Sequence, residues 1–151
     1  IPLCDWSSDV CSSDLDRLAY FVRTEKERTL IIQNVLTRKI EERIPLKSVD
    51  EPESPNFAPD GKTIAFAALR GGVGDIFTVD LATKQITNLT DDAFADYGPV
   101  YSPDGKFMVY NARVSGNQKL FRLDLDTKKK TQLTFGTQDE TAASFIDDNT
   151  A

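Results

Sequence analysis

Short runs in which apolar and polar residues alternate extend along the chain from residue 16 onward. In one of them, Phe121, Leu123 and Leu125 alternate with Arg122 and Asp124. Alternation with a period of two is typical of a β-strand, because successive side chains of a strand point to opposite faces of its sheet. The pattern therefore predicts an all-β protein.

The predicted strands are short and are separated by polar segments. In chain order they are 18–22, 30–36, 40–46, 55–58, 63–69, 75–81 and 85–90, after which a similar series begins again. We expect the acidic segments 47–53 and 91–98 to be loops. Ile76 and Leu120 place apolar side chains on the second face of their strands, so each sheet is predicted to pack between two neighbours.

A Pro-Asp-Gly sequence occurs twice between predicted strands, at 59–61 and at 103–105. Pro fixes φ, Asp can hydrogen-bond to the backbone of its own turn, and Gly accepts a positive φ. Each copy is therefore predicted to join two antiparallel strands. We assign Asp60 and Asp104, and the repeated pair Asp80 and Asp124, to turns and strand ends rather than to catalysis.

The turns are part of a longer repeat with a period of 44 residues. Residues 54–90 align with residues 98–134 without a gap, and 15 of the 37 positions are identical. A third copy begins at residue 142, where Phe145 takes the place of Phe57 and Tyr101, and Asp148-Asn149 replaces Asp-Gly. A period in the forties with about four short strands is typical of a β-propeller blade. A tandem helical repeat is the alternative, but the proline-containing turns would break its helices.

The repeat divides the chain into blades. We predict a β-propeller fragment over residues 16–151, with complete four-stranded antiparallel blades at 54–93 and 98–137 and partial blades at 16–50 and 142–151. Propellers have about 4–8 blades. We therefore expect the chain to be an internal piece of a longer protein.

Residues 1–15 differ from the rest of the chain. Residues 5–15 resemble the translation of a sequencing-library adapter, and we exclude the segment from the fold. It contains both cysteines, Cys4 and Cys11, and the single tryptophan, Trp6. Because these cysteines are set aside, the cysteine count says nothing about the redox compartment.

Composition excludes several kinds of chemistry. The chain has no histidine, so a Ser-His-Asp arrangement and histidine metal sites are ruled out, and we expect no catalytic residues, no metal site and no cofactor. No apolar run approaches the roughly 20 residues that a membrane span needs. The net charge of −6 and the lack of a basic stripe argue against nucleic acid. We interpret the lysines 128–130 as charges that protect a sheet edge.

The repeat resembles that of the TolB-type WD40-like (PD40) propellers. The resemblance is carried by Phe57–Lys62, Ile64-Ala65-Phe66, Gly72, Asp75-Ile76-Phe77, Asp80–Thr83 and Leu89-Thr90. Lys84 and Lys128 depart from the pattern, since the family usually has Gly there, and we expect some strain in those turns. The resemblance implies a protein-interaction scaffold of the bacterial envelope, located in the periplasm. The same repeat also occurs in the non-catalytic propeller of prolyl-oligopeptidase-like serine peptidases, and a propeller that binds a small molecule or glycan is a third possibility.

Acidic residues concentrate in the connections between the repeats. Pro52, Asp96 and Glu140 occupy equivalent positions just before the innermost strand of each blade. Our hypothesis is that Glu53, Asp96, Tyr97 and Glu140 form an acidic rim. The rim would bind either a cation or the cationic segment of a protein or peptide partner. The alternative is that these are solvated loop acids.

Overall fold

The computed structural model describes residues 16–146, which form antiparallel β-sheets. The strands are β1 (Arg17–Arg23), β2 (Arg28–Asn34), β3 (Ile40–Pro45), β4 (Asp50–Phe57), β5 (Thr63–Arg70), β6 (Val73–Asp80), β7 (Ile86–Asn88), β8 (Asp96–Tyr101), β9 (Phe107–Val114), β10 (Asn117–Asp124) and β11 (Lys130–Gln132). Each sheet follows chain order: blade 1 is β1–β3, blade 2 is β4–β7 and blade 3 is β8–β11. The predicted all-β propeller fragment is confirmed.

Blades 2 and 3 have the same internal register. The β5–β6 hairpin pairs Thr63 with Asp80, and the β9–β10 hairpin pairs Phe107 with Asp124, which is the same pair 44 residues later. One sequence repeat therefore folds into one four-stranded sheet. Within the described residues, no helix has the length and apolar character needed to cross a bilayer.

The two Pro-Asp-Gly segments form the predicted tight turns. Gly61 and Gly105 have φ values of 68° and 71°, a conformation that costs glycine little. Asp60 Oδ1 accepts a hydrogen bond from the Lys62 amide at 2.9 Å, and Asp104 Oδ1 accepts one from the Lys106 amide at 3.0 Å. Both carboxylates therefore stabilise turns.

The innermost strands begin earlier than the sequence predicts. β4 starts at Asp50 and β8 at Asp96, so the ends of the segments expected to be loops lie in strands instead. The prediction was wrong because Pro52 and the acids argued against a strand. An edge strand tolerates both, since the groups on its open side need no ladder partner. The β4–β5 register accordingly shifts between Asp50 and Glu53 and again before Asn56.

The central blade is apolar on both faces. Along β5, Ile64 and Phe66 pack with blade 1, whereas Ala65 and Ala67 pack with blade 3. β6 divides in the same way, with Phe77 facing blade 1 and Ile76 facing blade 3. Two separate hydrophobic clusters thus join the three blades, as the apolar residues on both strand faces predicted.

An aromatic contact follows the third blade. The ring of Phe145 meets Phe107 edge-on, with centroids 5.7 Å apart, which places it against the outer face of blade 3. Residues 141–146 form no strand. The Asp148-Asn149 turn and the adapter-like segment 1–15 lie outside the described residues.

Candidate functional site

The inter-blade connections meet at one edge of the fragment. Antiparallel strand order brings alternate connections to the same edge, which we call the loop face. Its segments are 24–27, 46–49, 71–72, 89–95, 115–116 and the chain after β11. The Pro-Asp-Gly turns lie at the opposite edge. Asp96 and Glu140, two of the four residues assigned to an acidic rim, lie where the connecting segments join the blades.

A buried acidic cluster lies on the loop face between blades 2 and 3. Asp75 of β6 is 4% exposed, and it accepts hydrogen bonds from Asn88 Nδ2 at 2.9 Å and from the Thr90 hydroxyl at 3.3 Å. Thr90 Oγ1 in turn accepts a hydrogen bond from the Ile76 amide at 3.0 Å. Asp75 therefore has partners although it is buried.

Asp96 lies in the same cluster at the start of β8 and lacks such partners. It is 1% exposed, and neither carboxylate oxygen has a hydrogen-bond partner in the part of the chain that the structure describes. Burial raises the pKa of Asp96 to about 7. The nearby Thr90 hydroxyl and Lys130 oppose this shift, whereas the Asp92 and Asp75 carboxylates reinforce it.

Lys130 spans the junction between the two blades. Its ammonium group comes from β11 of blade 3 and donates a hydrogen bond to the Thr90 carbonyl oxygen at 2.6 Å. It also forms an ion pair with Asp92. Lys130 therefore makes specific contacts that its interpretation as an edge-protecting charge did not include.

The equivalent position in blade 3 is electrostatically compensated. Lys119 takes the place of Asp75 and is 3% exposed; its ammonium group lies 2.8 Å from Glu140 Oε2. It also donates a hydrogen bond to the Gln138 carbonyl oxygen. The Thr134 hydroxyl donates to the same Glu140 oxygen at 3.2 Å. The predicted rim residue Glu140, which follows β11, is thus paired with a residue of blade 3.

The other two residues of the predicted rim lie on innermost strands. Glu53 is an exposed residue of β4 and pairs with Ala67, while Tyr97 is half-buried on β8 and pairs with Asn111. Asp96 and Tyr97 are neighbours, whereas Glu53 belongs to the preceding blade and Glu140 follows the third. The rim is therefore spread over successive blades.

Sequence reasoning did not assign Asp75, Lys119 or Lys130 to a functional site. A signal for the first two was present, because positions 31, 75 and 119 are equivalent in the repeat and carry Ile, Asp and Lys. A repeat position that changes from apolar to acidic to basic indicates a local difference between blades. Lys130 reaches across the junction, and the sequence carries no comparable signal for that contact.

Exposed aromatic and acidic side chains occur together on the loop face. Among residues 16–146, no group of three or more acidic, cysteine or histidine side chains is arranged to hold a metal ion. Two large aromatic side chains are exposed in the inter-blade segments: Phe94 is 44% exposed and Phe135 is 73% exposed. Both lie in segments that carry exposed acids, Asp91 in one and Asp139 in the other.

Comparison with known families matches residues 6–151 to PD40, described as the TolB beta propeller domain. The match includes residues 6–15 of the adapter-like segment. The exclusion of residues 1–15 from the fold stays a prediction. No curated protein matches the chain.

Solved structures with a similar fold include two TolB proteins. TolB from Acinetobacter baumannii has a TM-score of 0.72 at 28% identity, with 84% of this chain and 31% of that chain covered. A putative TolB from Agrobacterium tumefaciens has a TM-score of 0.70 at 22% identity, covering 82% of this chain and 44% of that chain. The chain thus spans less than half the length of either protein.

Peptidase propellers are similar in fold alone. The tricorn protease has a TM-score of 0.64 at 20% identity, with 86% of this chain and 13% of that chain covered. A structure from an analysis of two prolyl endopeptidases has a TM-score of 0.61 at 16% identity, with 81% of this chain and 20% of that chain covered. At such low sequence identities the structural similarity shows the fold alone. It is no argument for a role in peptide hydrolysis.

Proposed function

Because the chain belongs to the TolB beta propeller domain family, we propose that it is part of a protein-interaction scaffold of the bacterial envelope. Its place of action would be the periplasm, and its binding surface the loop face. The observation that carries this proposal is the exposure of Phe94 and Phe135 in the inter-blade segments of that face. Exposed aromatic side chains are enriched where proteins bind one another.

The charges around these aromatics suggest the chemistry of the partner. Asp91 lies close in sequence to Phe94, and Asp139 to Phe135, and both acids are exposed. Glu53 adds an exposed acid on the innermost strand of blade 2. A partner segment that combines apolar side chains with Lys or Arg would match this surface, since complementary charge guides association and orientation.

Asp96 and Glu140 would have a different role from the one predicted for a rim. Asp96 is buried and Glu140 is paired with Lys119, so neither is a freely accessible charge. Direct contact with a partner is therefore assigned to Glu53, Tyr97 and the exposed residues of the inter-blade segments. Asp96 and Glu140 would position those segments.

Site-specific crosslinking in cells tests the proposal. A photo-reactive amino acid is placed at Phe94 or at Phe135 of the intact protein, and at Ala82 or Asp126 as matched controls. The controls are exposed, occupy equivalent positions in blades 2 and 3, and lie at the opposite edge. We expect one crosslinked partner from both loop-face positions and none from the controls.

Charge reversal provides the second arm of the test. Glu53→Lys and Asp91→Lys should reduce crosslinking from Phe94 while the protein remains folded, because a cationic partner would then be repelled. Equal crosslinking from both edges of the propeller, or yields that these substitutions leave unchanged, would contradict a cationic partner at the loop face.

A further inference from the structure

At the junction between blades 2 and 3, buried carboxyl groups outnumber the cations that pair with them among the described residues. Asp75 and Asp96 are almost fully buried, and Asp92 lies close enough to affect the titration of Asp96. Lys130 is the cation of this group, and its contacts are with Asp92 and the Thr90 carbonyl oxygen. Asp96 is left without a hydrogen-bond partner among the described residues.

The repeat shows that this arrangement is a property of one junction and not of the scaffold. At the junction between blades 1 and 2, the positions equivalent to Asp75 and Asp96 are Ile31 and Pro52. In blade 3 and the segment that follows it, they are Lys119 and Glu140, which form an ion pair at 2.8 Å. Among the described residues, the two equivalent positions are therefore apolar at the junction of blades 1 and 2, form an ion pair after blade 3, and are both acidic only at the junction of blades 2 and 3.

Titratable groups from several neighbouring elements lie close to Asp96. β6 contributes Asp75, the connection to β8 contributes Asp92, β11 contributes Lys130 and β9 contributes the buried Tyr110. All but one of the remaining charged groups on the strands packed against β8 are exposed to solvent. They are Asp50, Glu51 and Glu53 of β4, Arg70 of β5 and Arg113 of β9; Asp80 of β6 is half-buried and lies at the opposite edge.

We propose that the Asp96 carboxyl is a proton-dependent clamp, which holds the 91–95 connection against blade 3 when it is neutral and loosens that connection when it ionises. The connection is held by a hydrogen bond from the Arg113 amide to the Ala95 carbonyl oxygen, at 3.0 Å. Ala95 immediately precedes Asp96. Opening this contact would let water reach the carboxylate, and this relieves the cost of a buried, unpaired charge.

The direction of the pH effect follows from the titration of Asp96. Its pKa is about 7 in the folded state against 3.8 for an ordinary Asp, so the closed state binds the proton more tightly. The neutral Asp96 carboxyl stabilises the closed contact fully below pH 3.8, the ordinary pKa of Asp. This contribution decreases as pH rises from 3.8 towards 7, and it is lost above about pH 7. The inference does not depend on the partner proposed above.

Amide hydrogen exchange on the intact protein measures the clamp. After correction for intrinsic rates, the protection of the Arg113 amide should fall about tenfold per pH unit between pH 5 and pH 7, since one proton is released on opening. Asp96→Asn should abolish this slope, because its neutral amide does not titrate. Glu140→Gln is the matched control, since it changes the equivalent residue one repeat later, and it should leave the slope of Arg113 unchanged.

The Glu140 amide serves as an internal reference. It donates to the Gln118 carbonyl oxygen at 3.0 Å, in the compensated blade, and its protection should not follow the same slope. An Arg113 slope that persists in Asp96→Asn, or that is absent from the wild type, would overturn the proposal. If Asp96→Asn does not fold, Asp75→Asn provides the test: removing this neighbouring charge should move the end of the slope to lower pH. An unchanged profile would overturn the proposal as well.

Discussion

At the scale of single residues, one repeat position determines the electrostatics of each blade. Ile31, Asp75 and Lys119 are equivalent, and all three are buried. The apolar residue needs no partner, Asp75 obtains hydrogen bonds from Asn88 and Thr90, and Lys119 obtains a carboxylate. A buried charge is tolerated only where such partners exist, so each residue requires a different set of neighbours.

Removing the Lys119 side-chain charge should destabilise the fold. We expect Lys119→Met to lower the free energy of unfolding by about 2–3 kcal/mol, because Glu140 and the Gln138 carbonyl oxygen lose their partner. Water can still reach Glu140, which limits the loss. Denaturant unfolding of the intact protein measures the change.

The control for this prediction is an exposed ion pair. Arg23 and Glu51 approach to 2.9 Å, with side chains that are 67% and 48% exposed. Arg23→Met should therefore change the free energy of unfolding by less than about 1 kcal/mol. Equal effects of Lys119→Met and Arg23→Met would contradict the role assigned to burial.

At the scale of elements, the turns at the edge opposite the loop face set the strand register. Asp80 Oδ1 accepts hydrogen bonds from the Ala82 and Thr83 amides, and Asp124 Oδ1 accepts them from the Asp126 and Thr127 amides. The turn roles predicted for these aspartates are thereby confirmed. Lys84 and Lys128 have φ values of 63° and 61°, so the strain expected where the family has Gly is present.

Glycine at such a position should relieve the strain. We expect Lys128→Gly to raise the free energy of unfolding by about 0.5–1 kcal/mol, because glycine adopts a positive φ with little steric cost. Lys129→Gly is the matched control, since Lys129 is not among the residues with positive φ. It should be neutral or destabilising. Thermal unfolding of the two variants in parallel measures the difference, and stabilisation by both would contradict the explanation.

The same turns should make the protein sensitive to acid. The hydrogen bonds from Thr127 lower the pKa of Asp124 from its ordinary value of 3.8. A carboxyl whose pKa is lowered by folding stabilises the fold above its ordinary pKa, and this contribution is lost as pH falls below that value. Asp124→Asn should therefore lose less stability than the wild type between pH 5 and pH 3. Denaturant titrations at several pH values test this, and parallel pH profiles would contradict it.

At the scale of the whole fragment, the hydrophobic contacts between blades join consecutive blades. Blade 2 supplies one strand face to each of two hydrophobic clusters, so each junction has its own core. Repeat architectures of this kind owe much of their stability to such contacts between adjacent units. A change in one core should therefore affect one junction more than the other.

Truncating Phe66 should weaken the junction between blades 1 and 2. Its ring is fully buried and lies against Phe21 and Phe77, with centroids 5.6 Å and 5.8 Å away. Phe66→Ala should cost about 3–5 kcal/mol. Hydrogen exchange should show the larger loss of protection in β1–β3 and the smaller one in β8–β11.

Leu36→Ala is the control for Phe66→Ala, because Leu36 is 74% exposed. It should change stability by less than about 0.5 kcal/mol. Uniform loss of protection across all three blades in Phe66→Ala would contradict separate junction cores.

The sequence by itself determined the architecture, because the turns and the strand period are local properties. Pro-Asp-Gly requires a tight turn wherever it occurs, and alternation in Phe121–Leu125 requires a two-sided strand. The 44-residue spacing then predicts the blades. The sequence failed at Asp50 and Asp96, where the strands start, because edge strands accept prolines and acids that local rules assign to loops.

Only the tertiary structure decided the chemistry of the loop face. Asp96, Glu140 and Glu53 look alike as acids in connecting segments. Among residues 16–146, however, the first is buried without a hydrogen-bond partner, the second is paired with Lys119 and the third is exposed. The environment of a charge depends on residues distant in sequence, such as Lys130 from the next blade. Burial and pairing arise when the blades pack, and for this reason local pattern could not distinguish these three carboxylates.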